Sequence, residues 1–335
     1  MPGRALPACR QAESRPFSLL FILFFTILLT SCRKEELPVQ PLDRGSVVTA
    51  QVDMGNDYKQ QIYYSLGNNS IVSTNLKVDW DLAFESSATG THIKLNSAKW
   101  MGIYKTQQTV FSTVTDTSGY ANNTMYDAPS GNMDSTAVGS WQDGKVYVLF
   151  RGYTPSGSKI GFKKIQFISS DASTYTFKYA NLNGSSEQTI TLTKQSSKNF
   201  TCFSINTNAV ANIEPDKENF DLWFTQFTHV YADHTPYLVV GILSNPHKVK
   251  TSRITDISFD NIKLNDTITH PFTPHVNNIG FDWKTFSLNT NTYTVDPSMC
   301  FIIKATDGFY YKLHFIGFYN SGGLKGSPKF EFKKL

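Results

Sequence analysis

Residues 219–231 read Asn219-Phe220-Asp221-Leu222-Trp223-Phe224-Thr225-Gln226-Phe227-Thr228-His229-Val230-Tyr231. At period two, Phe220, Leu222, Phe224 and Val230 fall on one face. Asp221, Trp223, Thr225, Phe227, His229 and Tyr231 fall on the other. The first face is that of a half-buried strand. An opposite face carrying three aromatic rings and a histidine is unusual for one that meets only water. A shorter copy lies upstream as Asp79-Trp80-Asp81-Leu82-Ala83-Phe84-Glu85.

Outward from these two stretches the chain reads as strands and turns. Charged residues make up 17% and aromatics 14% of the 335 residues, a balance that favours strands over amphipathic helices. Strand-like segments cover residues 61–66, 71–84, 92–95, 100–105, 145–150, 161–168, 174–180 and 189–193, with polar loops over 112–140. The order then recurs through 201–205, 237–243, 299–304, 309–319 and 328–332, with a loop region over 263–278.

Trp141 before Val146-Tyr147-Val148-Leu149 matches Trp283 before Cys300-Phe301-Ile302-Ile303, and residues 161–167 match 309–315. Asp81 precedes Lys164 by 83 residues and Asp221 precedes Lys312 by 91. The expectation is an all-β fold, mainly strand with few short helices, built as two tandem β-sandwich domains over 45–195 and 196–335. One large sandwich with coincident motifs is the alternative. Because Asp81 and Asp221 recur at equivalent points, they are expected to make a shared structural hydrogen bond, a turn or cross-strand tie, rather than an acid–base pair.

The leader sets the address. Residues 17–29 are apolar and follow Arg4, Arg10 and Arg15. Thirteen residues are too few to span a bilayer, which takes about 20, so 1–31 reads as a signal peptide. Leu29-Thr30-Ser31-Cys32 is similar to a bacterial lipobox, making Cys32 the lipidated residue that anchors the chain in the outer membrane. Arg33-Lys34-Glu35-Glu36 behind it resembles a surface-export signal, and 32–44 forms a tether. The long segment before the apolar run leaves the true start codon open. Without the leader the net charge is about +2, which offers no electrostatic case for nucleic acid. Cys202 and Cys300 sit in apolar runs and read as buried thiols, with a disulfide as the alternative.

Phe220–Phe224, Trp283, residues 308–315, Ser321-Gly322-Gly323 and residues 329–332 together resemble the HmuY-like haem-binding lipoproteins. The match is closest over 201–335 and looser over 45–168. The resemblance implies packed β-sheets and haem capture at the cell surface, with iron held between two histidine or methionine side chains. It also implies a haemoprotein donor and an outer-membrane transporter as candidate partners. The family's ligands lie in variable loops, so none carries over by position.

The second half holds six of the seven histidines, His229, His234, His247, His270, His275 and His314. Haem needs an apolar slot and nitrogen or sulfur ligands. That makes His229, His234, His270 and His275 the axial candidates, and Trp223, Phe227 and Tyr231 the pocket candidates. In the first half Met101, Met125 and Met133 could ligate, against core filling for Met101 and loop residence for the other two. For each histidine taken singly, a solvated loop position or a satisfied core position is the competing reading. No nucleophile elbow, zinc-protease helix, phosphate loop or dinucleotide fingerprint occurs, so no enzyme is expected. A glycan- or protein-binding surface module, motivated by the aromatics and the polar loops, is the alternative to haem capture.

Overall fold

The computed structural model describes residues 44–335. The signal peptide, Cys32 and most of the tether lie outside the described residues. Three strands, β1 (Val48–Gln51), β2 (Gln60–Ser65) and β3 (Ser70–Leu76), precede six more. These six are β4 (Leu82–Glu85), β5 (Ile93–Leu95), β6 (Gly102–Lys105), β7 (Val146–Phe150), β8 (Phe162–Ser170) and β9 (Thr174–Ala180). Three strands follow again, β10 (Gln188–Thr193), β11 (Phe200–Ser204) and β12 (Ala209–Ala211). The chain closes with β13 (Leu222–Val230), β14 (Pro236–Ser244), β15 (Lys250–Ile254), β16 (Lys284–Ser287), β17 (Thr292–Val295), β18 (Cys300–Lys304), β19 (Tyr310–Tyr319) and β20 (Lys325–Lys334). The protein is mainly β, and its sheets are antiparallel.

Two sandwiches result, each a four-stranded sheet facing a five-stranded one. In the first, the order β12-β11-β4-β5 faces β10-β9-β8-β7-β6, and Leu82, Phe84, Leu149, Phe167, Phe177 and Phe203 fill the space between. In the second, β14-β13-β2-β3 faces β1-β20-β19-β18-β15 around Leu222, Phe224, Trp283, Phe301, Phe315 and Phe330. Period-two alternation puts Leu82 and Phe84, and likewise Leu222 and Phe224, into these cores as the apolar face of each motif requires. The hairpin β16–β17 stands apart as its own small sheet.

Strand pairing crosses residue 195 in both directions. The β2–β3 hairpin of the first half pairs with β13, Tyr64 opposite Leu222. The β11–β12 hairpin of the second half pairs with β4, Phe203 opposite Leu82. β1 pairs with the last strand, Val48 opposite Phe332. By core membership, residues 82–211 therefore form one sandwich, and residues 48–76 join 222–335 in the other. Each hairpin extends a sheet by pairing edge to edge with a strand of the other half.

The motif aspartates tie these crossings together. Asp81 donates its backbone N–H to the Phe203 carbonyl, and its Oδ2 accepts from the Ile205 N–H at 2.8 Å. Asp221 donates to the Tyr64 carbonyl, and its Oδ2 accepts from the Leu66 N–H at 2.8 Å. The shared structural tie expected from the repeat is thus present at both points. Asn96 and Asn245 extend the match, each donating its side-chain amide to the carbonyl of the residue before the aspartate, Trp80 or Phe220. Lys164 and Lys312 are likewise structural. They donate to the Val114 and Phe259 carbonyls while lying over the rings of Phe111 and Phe259. Cys202 and Cys300 are both buried free thiols.

Candidate ligand cleft between the two sandwiches

The faces of β4 and β13 that turn away from their own cores point toward each other. Ala83 and Trp223 occupy matched places on these faces, as do Trp80 and Phe220 just before the strands and Cys202 and Tyr63 on the crossing hairpins. All six line one cleft of about 290 Å³. Tyr63 stacks on Trp223 with ring centroids 5.3 Å apart and planes within 8°, and Trp80 lies 6.4 Å from Trp223. Phe220 meets Tyr63 edge-on at 5.0 Å. The aromatic face legible at Trp223 is one wall of this cleft.

Polar groups are few and placed around the apolar wall. Trp80 Nε1 donates to Gln61 Oε1 at 2.9 Å, whereas the buried Trp223 Nε1 has no partner among the described residues. Glu214 is buried in the cleft, where loss of water pushes its carboxyl up to about 7 against the pull of the Asn199 N–H and of Lys94. Burial also raises the Cys202 thiol far out of the range in which it ionises. Lys94, Lys198 and Lys217 bring positive charge to the lining, Lys94 lying 5.1 Å from the Phe200 ring centre.

Two loops add metal-ligating side chains to this lining. Met133 opens a short 3-10 turn, Met133–Ser135, in the first half. His247 follows β14 in the turn that Asn245 braces, accepting the His247 N–H at 2.9 Å. The His247 Nε2 lies 2.7 Å from Glu218, so carboxylate and ligand would compete for it. A thioether and an imidazole thus line an aromatic slot together with several lysines. Those residue types fit haem, with lysines available to its propionates.

The histidines singled out from the sequence are distributed differently. His229 and His275 line a second depression with Arg253, Phe281 and Asp282. The His229 Nδ1 is buried without a partner among the described residues, and burial lowers its affinity for a proton. Arg253 is committed to Asp282 at 2.6 and 2.8 Å. His234 occupies the exposed turn between β13 and β14 at φ 65°. His270 is held by the Asp266 carbonyl and by Asp256 at 3.1 Å, interactions that raise its affinity for a proton. Of the pocket candidates, Trp223 lines the cleft, Phe227 is buried against Val239, Leu243 and Val276, and Tyr231 is exposed beside His229. His314, stacked on Phe259 at 4.0 Å and bonded to Glu331, is structural. No cluster of three or more His, Cys, Asp or Glu residues able to hold a bare metal ion occurs among the described residues.

The sequence reading left His247 out of the axial candidates and weighed Met133 as a ligand against simple loop residence; both line the cleft. The signal for His247 was available: Asn245 stands after Asp221 much as Asn96 stands after Asp81, so the turn at 244–247 belongs to the repeated framework.

No curated protein sequence matches the chain. Among solved structures it is similar to the apo HmuY analogue of Tannerella forsythia, at 11% identity over 87% of this chain and 98% of that one, with a TM-score of 0.25. It is also similar to apo PinO from Porphyromonas gingivitis, at 9% identity over 87% and 98%, with a TM-score of 0.27. The family model described as HmuY protein matches residues 57–332, spanning both sandwiches and every strand that lines the cleft. The chain therefore belongs to the HmuY protein family.

Proposed function

We propose that this protein is a lipid-anchored outer-membrane protein of the cell surface that captures haem, or a similarly flat apolar ligand, for nutrient uptake and does no chemistry on it. One observation carries the reading. Aromatic rings from both motif copies line a single slot that also has a methionine on a loop of one half and a histidine on a loop of the other. Met133 and His247 are the candidate axial ligands, Trp80 and Trp223 the ring-facing walls, and Lys94, Lys198 and Lys217 the partners for carboxylates.

Titrating haemin into the soluble protein, residues 44–335, tests the proposal. A Soret shift that weakens in both Met133→Ala and His247→Ala is expected. No shift in either oxidation state overturns haem capture.

A second reading places the ligand between His229 and His275, favoured by a His229 Nδ1 that has no partner among the described residues. The depression offers less apolar wall, with Phe281 as its ring. A Soret shift lost in His229→Ala and His275→Ala but kept in Met133→Ala would select it.

A further inference from the structure

A separate cavity lies under the left-handed turn at Trp100. Trp100 ends the 3-10 turn Ser97–Lys99 at φ 60°, a conformation that bulky side chains rarely adopt, with its N–H donated to Ser97. There its half-buried ring lies 5.9 Å from that of Tyr153. Both rings border a cavity of about 380 Å³ that also takes in Asn56, Lys77, Thr154 and Gln226.

Lys77 is the unusual member. It is 4% exposed, yet among the described residues its ammonium makes a hydrogen bond only to the neutral Gln226 Oε1. The nearby cation Lys99 is already bound to Asp81, while Asp57, also on the cavity wall, pairs with Lys59 at 3.6 Å and reaches Lys77 only through a longer-range attraction, with no hydrogen bond between them. A buried ammonium has three protons to place, and an uncompensated charge out of water is costly. Lys77 therefore has unused donors in a cavity walled by two aromatic rings.

Such a combination suits a particular ligand chemistry. The C–H face of a sugar ring packs on an aromatic ring, and an oxygen-rich or carboxylate substituent takes the free donors of an ammonium. We propose that this cavity is a binding site for an acidic saccharide. Its ring lies against Trp100 and Tyr153, its carboxylate accepts from Lys77, and its hydroxyl groups meet Asn56, Thr154 and Gln226. The site is distinct from the aromatic cleft, with which it shares no lining residue.

Isothermal titration of residues 44–335 with glucuronic acid, N-acetylneuraminic acid and glucose tests the proposal. The acidic sugars are expected to bind at least tenfold more tightly than glucose. Trp100→Gly, which suits the left-handed backbone and removes the ring, is expected to abolish binding. Lys77→Gln is expected to remove the preference for acids. Circular dichroism and the thermal midpoint confirm that each variant is folded. Absence of binding by all three sugars, equal binding of glucose, or binding unchanged in Trp100→Gly would each overturn the proposal.

Discussion

Arg151 grips Asp81 in the interior of the first sandwich, its Nε and Nη2 both lying 3.0–3.1 Å from a carboxylate that is fully buried. Lys99 approaches the same carboxylate at 2.5 Å. The matching Asp221 has no cation in this place. Its Oδ1 accepts instead from the N–H and hydroxyl of Thr306, both at 2.8 Å. One backbone framework thus holds an ion cluster at one point and a neutral hydrogen-bond cradle at the other.

The two aspartates are expected to respond differently to amidation. Asp81→Asn strands two buried cations and is expected to cost about 3–5 kcal/mol. Asp221→Asn disturbs hydrogen bonds alone and is expected to cost about 1–2 kcal/mol. Urea denaturation compares them, and equal losses would contradict the assignment. Their pH signs also oppose. Burial raises the Asp81 carboxyl, but Lys99 and Arg151 outweigh it and hold the group below its ordinary value, so its stabilisation is present at neutral pH and lost on acidification. Burial wins at Asp221 and raises it, so its contribution fades as pH rises through the folded value.

Glu214 is expected to give a pH slope on the cleft side. Its folded carboxyl titrates at about 7, above the ordinary 4.5. The folded state then binds more protons than the unfolded one between those values, so stability falls as pH rises from about 4.5 to 7. The full amplitude is on the order of 3 kcal/mol, at about 1.4 kcal/mol per pKa unit. Thermal midpoints of Glu214→Gln measured from pH 5 to 8 are expected to be flatter than those of the parent protein. A slope of the same size in both would rule the residue out.

Lys284 is expected to do the opposite. Its ammonium donates to the Val240 carbonyl at 2.5 Å and lies 4.3 Å from the Trp283 ring and 4.9 Å from that of Phe318. Burial brings it down to about 7 from 10.5. The unfolded chain binds the extra proton between these values, so this residue makes stability rise with pH from about 7 to 10. Lys284→Met is expected to raise the urea midpoint at pH 6, gain less or lose at pH 10, and remove this part of the slope.

Cutting the chain at residue 195 is expected to give two poorly folded pieces. Residues 196–335 alone lack β1 and the β2–β3 hairpin, while β11 and β12 are left without β4. A fragment of residues 78–213 keeps both sheets of the first sandwich and its core, and is expected to fold. Amide dispersion in proton NMR spectra distinguishes the outcomes. A well-dispersed spectrum from 196–335 would contradict the role given to the crossing hairpins.

Much of the framework was legible because it is local. Period-two alternation at 220–224 and 80–84 assigns the core faces, and recurrence of Asp81 and Asp221 assigns the tie. Trp223 stood out as an aromatic on the wrong face, and the cleft explains it. Pairing partners were not legible, since residues 61–66 read as a strand equally well beside β4 or β13. Loop side chains were harder still. Met133 and His247 are 114 positions apart in the chain, and only the path of two irregular loops brings both to one slot. His229 and Tyr231 share a strand face with Trp223, but the strand carries them past the end of the cleft.

The double connection between the sandwiches bears on how a ligand would get in and out. A pair of lobes joined by a single linker can swing apart like a clamshell, trading affinity for access. Here the chain passes between the lobes twice, at residues 77–81 and 212–221, and the Thr228 hydroxyl donates to the Ser97 carbonyl while the Val276 N–H donates to the Ser130 carbonyl across them. Two connections and these bonds resist a free swing, so under the proposed function access would depend on the loops that bring Met133 and His247 to the lining. Residence time should be set by those loops, and substitutions there should change the rate of release without altering the walls.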